Sequence, residues 1–536
     1  MKRLPVDFSK TSSFPKIFLD YIDRKDTLSR FYKYTPDISS FKKVIEDKSK
    51  EAINRQILVE VLREQNKNLG APNEIQLAAI DSLLSDKTFT VTTGHQLCIF
   101  TGPLYSIYKI LSTIKLAQEL KKQYPDCNFV PVFWMVTEDH DFEEINHINI
   151  FGKKIAWNPS GEQEALAGKV AVGALKCDGL DALIEEVKGV LGESENAVYL
   201  LNLFRSVYFQ GASLADATRV IMHKLLGKYG LVILDASDKR LKKLYTDVMK
   251  EDVLKSSSCN YVNKTIEQFG ADYKAQVHPR EINLFYLDKG ARNRIVKEGE
   301  GYIVLNSDKK FTEAQLLSEI DSAPENFSPN VVLRPLYQER ILPNVAYVGG
   351  PGEISYWLEY KAMFEHFRVN YPVLVLRNCA MWLDEGSVAK IEKLGIKPED
   401  VFAETESLIK LFLERNFDHA FSLEEETKQI VSMFSSIGER VGEVDVTLKG
   451  TVEAEKQKQL NALKALEDKI TRAQKKKHEI SVNQVRKLKE KLFPENTLQE
   501  RYENFMPYYL KYGEKYFDLL LENFDALPAK FLVLAE

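Results

Sequence analysis

The sequence is short of cysteine, of long apolar runs and of net charge of either sign, and each shortage narrows what the chain can be. Its 536 residues hold five cysteines: Cys98, Cys127, Cys177, Cys259 and Cys379. None forms a Cys-x-x-Cys pair and the number is odd, so neither a disulfide scaffold nor a cysteine-rich zinc site is expected. The longest evident apolar run, Phe129 to Val136, is far too short to cross a bilayer. The basic start, MKRLPVDFSK, has no apolar stretch behind it and does not read as a secretory signal. A cytoplasmic protein with no membrane partner is the expectation. Lys plus Arg number 73 against 78 Asp plus Glu, a net charge of −5. That balance gives no electrostatic basis for a nucleic-acid partner.

What is present falls into two textures. Up to about Leu383, β-like runs alternate with helical stretches: TFTVTTG (88–94), NFVPVFWMV (128–136), YGLVILDAS (229–237) and NYPVLVLRN (370–378). Such apolar, β-branched strings suit strands buried on both faces, as in a parallel sheet between helices, and predict an α/β core of doubly wound type. Alternating pieces such as EINLFYLD (281–288) and EGYIVLNS (300–307) predict one or two insertions into that core. Beyond about Glu385 the texture is long helix. Ile430, Phe434, Ile437, Val441, Val444 and Leu448 are spaced 4, 3, 4, 3 and 4 apart, a heptad seam. A second run, Leu463, Leu466, Ile470, Ala473, Ile480, Val485, Leu488 and Leu492, ends before Pro494. Joined near Lys449 to Thr451, the two form an antiparallel hairpin, and a seam so narrow implies a partner copy in a homodimer. The 12 basic and 6 acidic residues between Glu453 and Leu492 read as a solvated face, because no aromatic residues interleave to stack bases.

Three stretches carry residues suited to chemistry. In TTGHQLCIFTGPLYSIYK (92–109), Gly94 and His95 end a strand and Gly102-Pro103 open a helix. Ligands of open α/β sheets sit at that edge, and a helix N-terminus attracts anions. His95, Thr101 and Lys109 can add donors. In TEDHDFEEINH (137–147), Glu138, Asp139, His140, Asp141, Glu143, Glu144 and His147 crowd the next strand end, where close carboxylates raise one another's pKa and can supply a general base. A divalent metal on His140 and His147 is the rival, but the spacing matches no standard zinc pattern, so no metal is assigned. In LRPLYQERILPNVAYVGGPGEISYW (333–357), Gly349, Gly350 and Gly352 let backbone approach a ligand. Glu353 opens the helix that follows, Tyr356 and Trp357 offer flat faces, Arg334 can clamp a carboxylate, and Gln338 and Glu339 are further polar handles. Gln96, Tyr105 and Asn146 complete the candidate binding set, with His95, Asp139, His140 and Asp141 as the catalytic candidates.

Together, TGHQLCIFTGPLYSIYK, PVFWMVTEDHDFEEINH and RPLYQERILPNVAYVGGPGEISYW resemble the cysteine-adding enzymes of bacillithiol biosynthesis, a likeness extended by the long helical segment and the QERYENF…YLKYG terminus. The resemblance implies a Rossmann-like parallel-sheet core with connecting-peptide insertions, related to class I aminoacyl-tRNA synthetases, plus a long α-helical coiled-coil domain that dimerises. On that plan residues 1–150 are the first part of the core and 151–330 its strands with insertions. Residues 331–385 close the core, 386–498 form the coiled coil and 499–536 pack back on the core. The implied reaction is amide formation between cysteine and glucosaminyl malate, with ATP or another nucleotide as the activating agent. TGHQLCIFTGP takes the place of the synthetases' HxGH signature but has only one histidine, His95, and no KMSKS-type loop follows. The residues alone also leave open a nucleotidyltransferase-like enzyme that adenylates another small acid, and a non-enzymatic nucleotide-binding coiled-coil scaffold.

Overall fold

A computed structural model describes residues 1–67, 73–159, 161–288, 290–416 and 423–536. Its centre is a parallel sheet of five strands: β1 (Thr88–His95), β2 (Asn128–Met135), β3 (Val232–Asp235), β4 (Asn344–Gly349) and β5 (Val373–Leu376), in the order β5-β4-β1-β2-β3. Every residue of β1 is buried, as its unbroken β-branched pattern requires of a strand covered on both faces. Pro131 is tolerated in β2 because the pairing with β3 starts only at Val132. The strand order reverses between β1 and β4, the position where open α/β sheets leave a crevice at their carboxyl ends.

Helix α1 (Leu104–Gln123) follows β1 and is buried almost all round, between the sheet and the last segment of the chain. The hydroxyls of Ser112 and Thr113 turn back onto the helix carbonyls of Tyr108 and Lys109. Residues 136–231 insert a hairpin and helices between β2 and β3. Residues 236–343 insert an antiparallel sheet built from strands 284–288, 291–298, 301–304, 310–312 and 327–329, then helix α2 (Leu333–Ile341) before β4. Helix α3 (Pro351–Trp357) leaves β4.

The long helices are α4 (Glu424–Val444), α5 (Lys449–Lys477) and α6 (Glu479–Leu492). The turn lies at Asp445–Leu448, a few residues before the Lys449–Thr451 expected from sequence, so Leu448 belongs to the turn and not to the seam. Ile430, Phe434, Ile437 and Val441 are half-buried, whereas Val444 is 85% exposed and no residue of α4 is fully buried. In the second run, Leu466 and Ile480 face solvent, while Val485, Leu488 and Leu492 pack with the helix Thr405–Asn416. After α6 the chain returns to the core. Strand Phe531–Ala535 lies between Lys2–Val6 and Ala380–Leu383 in a small separate sheet. Among the described residues no helix is long and apolar enough to cross a membrane.

Candidate active site

A cavity of about 660 Å³ lies against the carboxyl ends of β1, β2, β3 and β4, at the reversal of strand order. The loop that feeds it from β1 is set in an unusual backbone. Phe100, Thr101 and Gly102 all have positive φ, at 49°, 73° and 68°. A Cβ on Gly102 would lie 2.5 Å from that of Cys98, so only glycine fits there. The two non-glycine residues are held by their surroundings. The Phe100 N–H donates to the Tyr208 hydroxyl at 2.8 Å, and Asn504 Nδ2 donates to the carbonyls of Phe100 (3.0 Å) and Gly102 (2.7 Å).

Lys109 ties the two sides of the crevice together. Its Nζ donates to the Gly94 carbonyl at 2.5 Å and pairs with Glu353 Oε2 at 2.5 Å. Glu353 also accepts from the Gly350 N–H at 2.8 Å and the Tyr347 hydroxyl at 2.5 Å. Burial pushes the Glu353 carboxyl up, but Lys109 and these hydrogen bonds outweigh it and hold the group below the usual carboxylate range. Burial draws Lys109 down, and Glu353 restores part of the loss. His95 is 7% exposed, its ring 5.1 Å from that of Tyr105 and its Nε2 without a partner. Burial, with Lys109 nearby, lowers its pKa to about 3, so the ring is neutral at ordinary pH.

On the β2 side, Asp139 accepts from Gln96 Nε2 (2.5 Å), the His140 N–H (2.8 Å) and Arg292 (3.3 Å). Glu138 is paired with the fully buried Lys242 at 2.7 Å. Glu144 also lines the cavity, and burial followed by the Asp141 and Asp139 charges raises its pKa. Arg334 Nη1 donates to Gln338 at 3.0 Å, and its guanidinium lies near the rings of Trp134 and Tyr347 with Nη2 unpartnered. In all, the lining carries seven lysines and arginines against four carboxylates, a surplus suited to anionic ligands.

The cavity brings together Gly94, His95, Gln96, Tyr105, Lys109, Asp139, Arg334, Gly350, Gly352 and Glu353 from the sequence-derived set. The remaining candidates lie outside its lining, each for a structural reason. Thr101 and Gly102 are buried in the braced loop. The first amide of α1, expected to face an anion, instead donates to the Glu503 carbonyl at 2.7 Å. His140 sits behind Arg292, 3.1 Å from its Nη1. Asp141 is exposed and caps the short helix Phe142–Ile145. Asn146 is buried against His147 at 3.0 Å. Gln338 is buried between Arg334 and Glu339. Gly349 makes room for its neighbours, since a Cβ there would stand 3.1 Å from Glu353 Cβ. Trp357 is fully buried, its ring 4.6 Å from Tyr347, and cannot hold a ligand ring. Its neighbour Tyr356, the other flat face expected from sequence, does line the cavity.

The sequence places Glu144 in the carboxylate cluster without singling it out over Asp139, His140 and Asp141, and it does not reveal most of the guanidinium groups. Arg292 and Arg294 alternate on one strand and so share a face, a signal that ARNRIV does contain. Arg280 joins them from the preceding loop, while Arg377 and Arg501 line the cavity from beyond β5 and beyond α6. No local pattern announces those two.

Comparison with known proteins agrees with this architecture. Residues 1–378 match the bacillithiol biosynthesis BshC N-terminal Rossmann-like domain, and residues 380–536 match its C-terminal coiled-coil domain. A protein of Flavobacterium psychrophilum named "Putative cysteine ligase BshC" is 42% identical over 99% of this chain and 98% of its own length. Proteins of the same name from Christiangramia forsetii (99% of this chain, 98% of the relative) and Flavobacterium johnsoniae (99% of both) are 41% and 39% identical. With both domain models matched in order and relatives aligned end to end, the chain belongs to the bacillithiol biosynthesis BshC family.

Proposed function

We propose that the protein is a cysteine ligase that joins the cysteine carboxyl to the amine of glucosaminyl malate, forming the amide of bacillithiol. The names of its relatives support the reaction class. The observation that carries the reading is the pairing, in one cavity, of a desolvated carboxyl, Glu144, with a surplus of cations. An amine attacks only after losing its proton, and at neutral pH it arrives as ammonium. Glu144, with its raised pKa, is the acceptor in this reading. Attack on the acyl carbon places negative charge on its oxygen, which the free Nη2 of Arg334 is suited to stabilise.

A free carboxylate does not acylate an amine, so the reading includes ATP or another nucleotide as activating co-substrate. The loop Gly350–Gly352 and Tyr356, with Arg280 and Arg294 opposite, are the groups suited to hold it. The reading also includes a homodimer through the long helices, because α4 presents Met433 (52% exposed) and Val444 (85%) with nothing over them. The deciding experiment incubates the protein with cysteine, glucosaminyl malate and ATP, omits each in turn, and follows the cysteine adduct by mass spectrometry. No adduct in the complete mixture would end the proposal.

A further inference from the structure

The Tyr105 end of the cavity gathers three groups from distant parts of the chain. The His95 ring lies 5.1 Å from the Tyr105 ring, and the guanidinium carbons of Arg377 and Arg501 lie 5.3 Å and 6.0 Å from it. Arg377 is 2% exposed and binds Glu500 through both Nη atoms, at 2.9 and 2.7 Å. That grip leaves its Nε without a partner, and the atom stands 3.6 Å from where a Cβ on Gly350 would be. His95 Nε2 is likewise unpartnered. Two cavity-lining residues therefore each keep a buried nitrogen with no partner in the protein.

Arg501 is held differently. The segment around it is held at four points, three of them through side chains. Gln499 accepts from the Trp382 N–H at 2.7 Å, and Glu500 accepts from the Ala380 N–H at 2.9 Å. The Glu503 carbonyl and the Asn504 amide brace the β1–α1 loop. The Arg501 side chain makes no ion pair or hydrogen bond among the described residues, lines the cavity and is exposed. A pinned segment that carries a free guanidinium into a cavity is a preorganised anion donor.

We infer that Arg501, on the segment that follows the coiled coil, holds an anionic group of the substrate at the Tyr105 end of the cavity, beside Arg377 Nε and His95 Nε2. The group is a carboxylate or a phosphate. The site is thus composite: the matched C-terminal domain supplies part of the lining of a cavity built on the Rossmann-like domain. Glu500 is the positioning residue of this subsite, because it fixes which nitrogen of Arg377 stays free.

The inference rests on the reading of this cavity as the ligase site, and its test does not need turnover. Isothermal titration of the full-length protein with L-malate and with pyrophosphate separates carboxylate from phosphate. We expect one of the two to bind the wild type. Its Kd rises about 10- to 100-fold in Arg501→Gln and less in Arg501→Lys, as loss of a charge-assisted hydrogen bond implies. Melting temperature stays unchanged and Arg486→Gln, a control at a half-buried arginine that does not line the cavity, binds as wild type. Failure of both anions to bind the wild type, or equal binding by Arg501→Gln, overturns the inference. Arg501-dependent binding in a protein that forms no adduct would sink the ligase reading alone. Adduct formation with an unchanged KM for the amine substrate and for the nucleotide alike in Arg501→Gln would sink this inference alone.

Discussion

Replacing Glu353 by glutamine should destabilise the protein by orphaning a buried cation at the crevice. The substitution keeps the shape and leaves an acceptor for the Gly350 N–H, but it strips Lys109 of its counter-charge. The Lys109 side chain is 3% exposed and that of Glu353 22%, so little water is available to replace the lost pair. Removing one partner of a buried pair costs about 3–5 kcal/mol. Because glutamine retains some of the hydrogen bonds, we expect a loss near the lower end, about 3 kcal/mol. At about 2–4 °C per kcal/mol for domains of 150–250 residues, and less for a larger cooperative unit, the apparent melting temperature should fall by roughly 5 °C. The double variant Lys109→Met/Glu353→Gln removes the orphaned cation and should recover more than half of that loss. pH gives a second readout. The Glu353 carboxyl is held below its usual value of 4.5, so its contribution is complete above that value and fades as pH falls through the depressed one. The variant should lack that part of the acid limb. A single variant that melts within about 1 °C of the wild type would refute the argument, since a desolvated lysine cannot lose its partner without cost.

Glu144→Gln should lower kcat/KM for amide formation by about 10²- to 10⁴-fold and abolish the limb on which the rate rises with pH through the raised Glu144 value; an unchanged pH profile would exclude it as the base. His95 is neutral when folded, with a pKa of about 3 against 6.5 when exposed, so it draws stability away as pH falls below about 6.5. His95→Gln should therefore flatten the dependence of melting temperature on pH between 6.5 and 4. Val444→Asp should shift the sedimentation of the protein from dimer to monomer, while leaving its melting temperature within a degree or so, because the side chain is exposed within the single chain.

The parallel core was legible because a strand covered on both faces leaves a run of β-branched and apolar residues, as in TFTVTTG and NFVPVFWMV. Strand β4, NVAYVG, hid inside a stretch read only for its glycines and polar residues. The crevice was legible through Gly94, His95 and Glu353, which flank strand ends. It was misread where the deciding quantity was rotation about a helix. Tyr356 and Trp357 both read as flat faces in the sequence, yet a step of about 100° buries Trp357 and brings only Tyr356 to the cavity. The cations were the largest omission. An arginine on an antiparallel strand looks like any solvated one until the sheet is placed, and only packing tells Arg294 from the surface arginines. Arg501 lay within a string quoted for its likeness to a family, but its sequence neighbours say nothing of a cavity several hundred residues upstream.

The short sheet that joins Lys2–Val6, Phe531–Ala535 and Ala380–Leu383 has a consequence for biogenesis. Its middle member is made last on the ribosome, and it separates two edges that emerge much earlier. Until it arrives, Met381 and Leu383 have no lid and the first strand has no neighbour, so the nascent chain must wait with those apolar surfaces bare. Those surfaces are the ones a chaperone would have to cover until Phe531–Ala535 has been made.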